Sequence, residues 1–98
     1  MIIPKQLKIG NLTYKIEEMD GELSNAKGVF GDSSVAEQRI RIGKYLTQEK
    51  KEETFIHEIV HSVMEHSGHF QESENEKLVK ALANGIYQIL RENGLLKK

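Results

Sequence analysis

The sequence lacks several features, and each absence excludes a class of protein or site. It contains no cysteine among its 98 residues, which excludes disulfides and thiolate metal sites, so any bound metal would have nitrogen and oxygen ligands. The formal net charge is only -1, which gives no electrostatic case for a nucleic acid or an anionic membrane as partner. No apolar run is long enough to cross a membrane, and residues 1–5 are too short for a signal-peptide core. We therefore expect a soluble cytoplasmic protein with one small domain.

Residues 1–45 are predicted to form a small sheet. Apolar and polar side chains alternate over residues 5–19, with Gly10-Asn11 in the middle, and this pattern is typical of two strands joined by a tight turn. Alternation returns over residues 37–43 and predicts another strand. The expected architecture of this half is an antiparallel sheet of three to four short strands, with one apolar and one solvated face.

The segment between these strands is rich in turn-forming residues. We expect residues 20–25 to form a loop, residues 26–30 a short strand and residues 31–34 a turn. In the last strand, Arg39 and Arg41 alternate with isoleucines, so they are expected on the solvated face. The alternative is that the two arginines contact an acidic partner or substrate.

The most specific pattern is a His-Glu-x-x-His motif formed by His57, Glu58 and His61, inside a run from Phe55 to Met64 whose only other polar residue is Ser62. Residues four apart on a helix lie on one face, about 6 Å apart along the axis. The two imidazoles can therefore bind one metal ion, with Glu58 beside them as a candidate base for a water. The alternative is a pair of core histidines whose nitrogens are satisfied by backbone carbonyls or by Glu58.

The motif is predicted to lie on a helix over residues 47–66. Thr47 is a good N-cap for this helix, and Ser67-Gly68 supplies the break at its end. Two further histidines lie elsewhere: His66 is on the opposite side of the helix, and His69 follows the break. Both are expected to be surface or loop residues.

A second helix is predicted over residues 73–92, ending at Asn93-Gly94. Ser73 is a plausible N-cap, with Glu76 completing a capping box. Glu76 also lies at the edge of the apolar face, where a third metal ligand would be expected, while Tyr87 is expected to pack in the core. The predicted apolar stripe consists of Leu78, Val79, Leu82, Ala83, Ile86, Ile89 and Leu90.

A catalytic zinc usually has three protein ligands, and four glutamates that follow the motif are candidates for the third: Glu65, Glu72, Glu74 and Glu76. Glu65 shares the helix of the histidines, and three ligands along one straight helix cannot close a tetrahedron. The third ligand is therefore expected from the second helix. Helical periodicity does not choose between Glu72 and Glu76.

From about Gln38 to Leu90 the chain resembles the ImmA/IrrE-type zinc metallopeptidases, in particular their short phage- and prophage-encoded members, the minigluzincins. The resemblance is carried by residues 54–61 (TFIHEIVH) and 76–83 (EKLVKALA). By the match of the second stretch, the resemblance implies Glu76 as the third ligand of one catalytic Zn²⁺. It also implies an α+β fold over residues 1–98, in which the sheet packs on the motif helix and the third-ligand helix as a minimal zincin-like core.

The function implied is hydrolysis of a peptide bond in an unidentified peptide or protein substrate. His57, His61 and Glu76 would hold the zinc, and Glu58 would take a proton from the attacking water and pass it to the leaving amine. The strand around Gln38–Ile42 is expected to pair its edge with an extended substrate. A donor to the developing oxyanion cannot be chosen by spacing from the histidines and three tyrosines, namely Tyr14, Tyr45 and Tyr87.

Two alternatives to a peptidase remain open at this stage. One is a zinc-binding but catalytically silent interaction module of phage or prophage origin. The other is an interaction protein whose helices pack without metal. Zinc retention and loss of cleavage on changing Glu58 to glutamine would distinguish the peptidase from both.

Overall fold

The protein has an α+β fold with a four-stranded sheet and four helices in the part of the chain that the computed structural model describes, residues 1–96 without the side chains of residues 26 and 27. In chain order the elements are β1 (Gln6–Ile9), β2 (Leu12–Met19), α1 (Gly21–Lys27), β3 (Gly31–Ser34), β4 (Arg39–Gly43), α2 (Gln48–His66), α3 (Phe70–Ser73) and α4 (Glu76–Glu92). Within residues 1–96, none of the helices combines the length and apolar character needed to span a membrane.

The predicted hairpin is confirmed. Strands β1 and β2 pair antiparallel, with Ile9 opposite Leu12, and Gly10 adopts a positive φ of 61° at the turn. A Cβ atom on Gly10 would meet the ring of His66, which would have to move aside, and the positive φ is the conformation that favours glycine here. His66 therefore covers the hairpin turn from the end of α2.

The prediction for residues 20–34 is wrong. Residues expected to form a loop and the start of a strand instead form α1, because the Asp20 carboxylate caps it by accepting a 2.7 Å hydrogen bond from the Leu23 amide. The residues expected to form a turn are strand β3, which pairs antiparallel with β4. Gly31 is buried there, and a Cβ atom would lie 2.6 Å from Thr54 Cγ2. The small residues of β3 thus permit close packing against α2.

The sheet is mixed, and the expectation of a fully antiparallel sheet is wrong. Its strand order is β1-β2-β4-β3, and β2 runs parallel to β4, with Ile16 opposite Ile40. A parallel pair needs a crossover connection, which α1 and β3 provide. The predicted apolar face is confirmed, since Ile40 and Ile42 are buried with Tyr14 and Phe55 in the main core.

The two arginines of β4 are half-buried and have acidic partners in the chain itself. Arg41 forms a two-pronged ion pair with Asp32 of β3, at 2.9 Å from Nε and 2.6 Å from Nη2. Arg39 pairs with Glu37 at 3.0 Å and lies 3.9 Å from Glu17. These pairs tie the neighbouring strands together on the face opposite the core.

Helix α2 begins as predicted, since the Thr47 hydroxyl accepts a 3.2 Å hydrogen bond from the Lys50 amide. It packs on the sheet along one side and on α4 along another. Helix α4 runs antiparallel to α2, because Tyr87, near its end, donates a 2.8 Å hydrogen bond to Glu52 in the second turn of α2. Tyr87 is a core residue, as predicted.

The start of the last helix differs from the prediction. Helix α4 begins at Glu76, and its cap is Asn75, whose side chain accepts a 3.1 Å hydrogen bond from the Leu78 amide. The short helix α3 takes up residues 70–73, so Ser73 is neither an N-cap nor part of a capping box. The predicted stripe is only partly buried: Leu78, Leu82, Ile86 and Ile89 are exposed, whereas Val79 and Ala83 pack inside.

Candidate metal centre

The two motif histidines and Glu76 converge where the middle of α2 meets the start of α4. Glu76 Oε2 lies 3.1 Å from His57 Nε2, and Glu76 Oε1 lies 2.8 Å from His61 Nε2. One ligand atom from each of the three residues lies within 4.8 Å of the other two. These three residues are positioned to bind a metal ion.

The donor chemistry of this cluster fits a zinc ion. Two imidazole nitrogens and one carboxylate oxygen are the donor set of hydrolytic zinc sites that leave a fourth position open. The centroids of the histidine rings are 4.9 Å apart and the ring planes are inclined at 63°, so the rings meet edge to face and do not stack. Burial is the largest influence on the pKa of His57 and lowers it, against the raising effect of Glu76. A lowered pKa favours the neutral imidazole that a metal requires.

Of the four candidate glutamates, Glu76 is the one that reaches both histidines. Its place as the first residue of α4 is set by the Asn75 cap, while Val79 is buried in the next turn and Ala83 packs with Ile56 of α2. Glu72 instead pairs with His69 at 3.1 Å.

Glu58 lies between α2 and the sheet, next to the ligand cluster. Its residue surface is only 7% exposed, and its Cγ atom packs within 3.6 Å of the place that a Cβ on Gly31 would occupy. Burial is the main cause that raises the pKa of Glu58 to about 7; a hydrogen bond from Ser33 opposes the rise, and the nearby charge of Asp32 adds to it. A carboxyl group with this pKa can both accept and return a proton near neutral pH.

A further hydrogen-bonded chain lies behind His61. The Ser73 hydroxyl of α3 is 2.8 Å from His61 Nδ1 and donates a 2.6 Å hydrogen bond to Glu65 Oε2. The sequence placed Glu65 roughly on the face of His61, four residues later on the same helix. The sequence did not predict the contact of Ser73 with His61, because this contact joins two separate helices.

The cluster opens into a cleft of about 510 Å³. His57, Glu58 and His61 line it from α2, Lys80 and Asn84 line it from α4, and β3 with the preceding residues Val29 and Phe30 forms another wall. The sequence did not predict that Val29, Phe30, Lys80 and Asn84 line this cleft.

A larger cavity of about 770 Å³ is lined by residues 1–5 and contains none of the three ligand residues.

The expectation that the strand around Gln38–Ile42 presents an edge is wrong. Strand β4 is paired on both sides, with β2 and with β3. The strand that lies at the sheet edge and lines the cleft is β3. Its place at the edge could not be predicted from a segment that was expected to be a turn.

The other histidines and the tyrosines lie outside the cleft. His66 covers the hairpin turn, and His69 is exposed and paired with Glu72.

Tyr14 is fully buried in the main core, and Tyr45 shares a 2.6 Å hydrogen bond with Ser24. Tyr87 bonds Glu52, and none of the tyrosines is among the residues that line the described cleft.

Comparison with protein-family models, with curated proteins and with solved structures finds no match to this chain. The features of the chain that bear on its function are therefore the geometry and chemistry of His57, Glu58, His61 and Glu76.

Proposed function

We propose that this protein is a zinc-dependent metallopeptidase of the gluzincin type, built as a minimal zincin-like core of the ImmA/IrrE kind. His57, His61 and Glu76 would be the zinc ligands, and Glu58 the general base. The observation that carries the proposal is the convergence of the three ligand atoms within 4.8 Å beside a buried carboxyl group. The sequence motif on α2 and the order of sheet, motif helix and ligand helix support the same family.

The zinc ion and the residues of the protein would have different roles in the reaction. When bound, Zn²⁺ would lower the pKa of a water towards neutrality and polarise a peptide carbonyl. Glu58 takes the proton of the attacking water and returns it to the leaving amine, a role suited to its pKa of about 7. The ligand set carries one negative charge, so it leaves the dication with net positive charge for this work.

The substrate would lie along β3. An extended peptide can add to an exposed strand edge through backbone hydrogen bonds, and Gly31–Ser34 is the edge strand beside the ligand cluster. The exposed side chains of Val29 and Phe30 precede this strand and offer apolar contacts to the substrate. This placement brings a peptide carbonyl to the same cleft as Glu58 and the two histidines.

The experiment that tests the proposal is digestion of a peptide library by zinc-loaded protein, with zinc content measured in parallel. We expect cleavage by the wild type, zinc retention without cleavage for Glu58→Gln, and loss of both for His57→Ala. The matched control is Glu92→Gln, the same change on the exposed end of α4, which should behave as the wild type. A Glu58→Gln variant with full cleavage would contradict the assignment of the base.

A second candidate is a zinc-binding interaction module without catalysis. It is favoured by the apolar residues of α4 that remain exposed, of which Leu82 and Ile86 are each 43% and Ile89 is 58% exposed. Such a stripe is typical of a helix that contacts a partner. In that case Glu58→Gln would keep both the zinc and the biological effect of the protein.

A further inference from the structure

The metal site is continued behind His61 by two side chains that the sequence did not single out as a pair. We propose that Ser73 and Glu65 are positioning residues, which hold the His61 ring so that its Nε2 atom faces the metal. This inference deepens the proposed function and rests on it, because it assigns how one ligand of the proposed zinc site is oriented.

The direction of the hydrogen bonds determines which nitrogen of His61 carries a proton. The Ser73 hydroxyl donates its one hydrogen to the Glu65 carboxylate, at 2.6 Å. Its oxygen, 2.8 Å from His61 Nδ1, can therefore only accept a hydrogen bond from that nitrogen. His61 must keep its proton on Nδ1, which leaves the lone pair of Nε2 for a metal ion.

The opposite nitrogen faces the ligand cluster. His61 Nε2 lies 2.8 Å from Glu76 Oε1, so the same ring contacts Ser73 on one side and the third ligand on the other. A metal ion bound to Nε2 would leave the contact of Nδ1 with Ser73 in place. A hydrogen bond to the second nitrogen of a ligating histidine fixes ring orientation and raises ligand basicity.

The hydrogen bonds of Ser73 are shielded from solvent. Ser73 is only 2% exposed, and a buried hydroxyl without a partner is costly. It is the buried residue of α3, a helix of four residues. The docking of α3 on α2 is thereby coupled to the orientation of His61.

The other motif histidine has no such support. His57 is bonded through Nε2 to Glu76 at 3.1 Å, and no residue in the described part of the chain contacts its Nδ1 by a hydrogen bond. The two ligands of α2 therefore differ, and a change at Ser73 should affect His61 and spare His57.

The test compares zinc affinity, measured by competition with a chromophoric chelator, in the wild type and in Ser73→Ala. We expect the variant to bind zinc roughly 10- to 100-fold more weakly, the range found for residues that orient a ligand from behind. The control is Ser67→Ala, an exposed serine at the end of α2, which should bind as the wild type. Ser73→Thr keeps the hydroxyl and should restore most of the affinity.

A second readout does not depend on zinc. In ¹H–¹⁵N spectra, the ring Nδ1 proton of His61 should be protected from exchange in the wild type and exchange freely in Ser73→Ala. If Ser73→Ala does not fold, Glu65→Ala at a half-exposed position supplies the same comparison of affinity and ring proton. Unchanged zinc affinity in Ser73→Ala would overturn the inference. A wild type that binds no zinc would overturn the proposed function, while the ring proton would still test the role of Ser73.

Discussion

The Glu76 carboxylate lies 3.1 Å from Nε2 of His57, although the two residues are 19 positions apart in sequence. The contact depends on α3, which reverses the chain so that the first residue of α4 meets the middle of α2. If His57, His61 and Glu76 bind a metal ion as proposed, this pairing links the folding of the helices to metal binding, because one ligand comes from a second helix.

Zinc is therefore expected to stabilise the folded protein. A ligand that binds only the native state adds about 2.7 kcal/mol at 100 times its Kd. Thermal unfolding of the wild type should shift upwards on adding zinc, and Glu76→Ala should abolish the shift because it removes the inter-helix ligand. The control is Glu92→Gln on the same helix, which should keep the shift. An equal shift in Glu76→Ala would contradict the assignment of the third ligand.

Glu58 should destabilise the zinc-free protein at neutral pH. Its pKa rises from 4.5 to about 7 on folding, so the folded state favours the protonated form. Stability from this group is fully present below pH 4.5, falls as the pH rises, and is lost above about 7, an effect of about 3 kcal/mol. Glu58→Gln should therefore be more stable than the wild type at pH 8, measured by urea unfolding in the presence of a chelator. A variant less stable than the wild type at that pH would contradict this prediction.

Glu52 should show the opposite pH dependence. Burial raises its pKa, but hydrogen bonds from Gln48, Tyr87 and the Met1 ammonium together outweigh burial and bring it below 4.5. Its contribution to stability is present above pH 4.5 and is lost as the pH falls through the lowered pKa.

Tyr87→Phe tests this buried network. Removing the hydrogen bond to a buried carboxylate should cost about 1.5 to 3 kcal/mol at pH 7 and less in acid. Urea unfolding at several pH values measures the difference. Tyr45→Phe, which alters a partly exposed hydroxyl contact with Ser24, is the control and should show no such pH dependence. A cost for Tyr87→Phe that is independent of pH would count against the role of Glu52.

Two glycine substitutions test the packing of β3 on α2. A Cβ atom on Gly31 would lie 2.6 Å from Thr54 Cγ2 and 2.7 Å from the Arg41 carbonyl oxygen, so Gly31→Ala should destabilise by about 1 to 3 kcal/mol. Gly85→Ala on α4 meets no atom within 4 Å and should stabilise by roughly 0.8 to 1.0 kcal/mol. Denaturant unfolding of the two variants measures both effects, and a neutral Gly31→Ala would show that the strand can move away from the helix.

The sequence predicted the parts of the fold that depend on local patterns. The hairpin, β4 and α2 follow from alternation, a glycine turn and an N-cap, and these were confirmed. Helix α1 and strand β3 were missed because β3 is built of small polar residues, which have turn propensity but here fit beneath α2. The parallel pairing of β2 with β4 is a non-local property that no periodicity encodes.

The candidate site divides in the same way. The convergence of His57 and His61 is a local consequence of helical spacing, and it was confirmed in the structure. Helical periodicity could not choose between Glu72 and Glu76 as the third ligand, since the choice depends on where α4 begins. Ser73 was interpreted as a helix cap, because a contact with His61 across two helices leaves no trace in the spacing of residues.

Zinc binding by the wild type, measured by chelator competition and by metal content beside His57→Ala, Glu76→Ala and Glu58→Gln, tests the proposed metal site most directly. We expect one zinc per chain in the wild type and in Glu58→Gln, and an affinity weaker by at least about 100-fold in the two ligand variants. Undiminished zinc affinity in Glu76→Ala would contradict the proposed site.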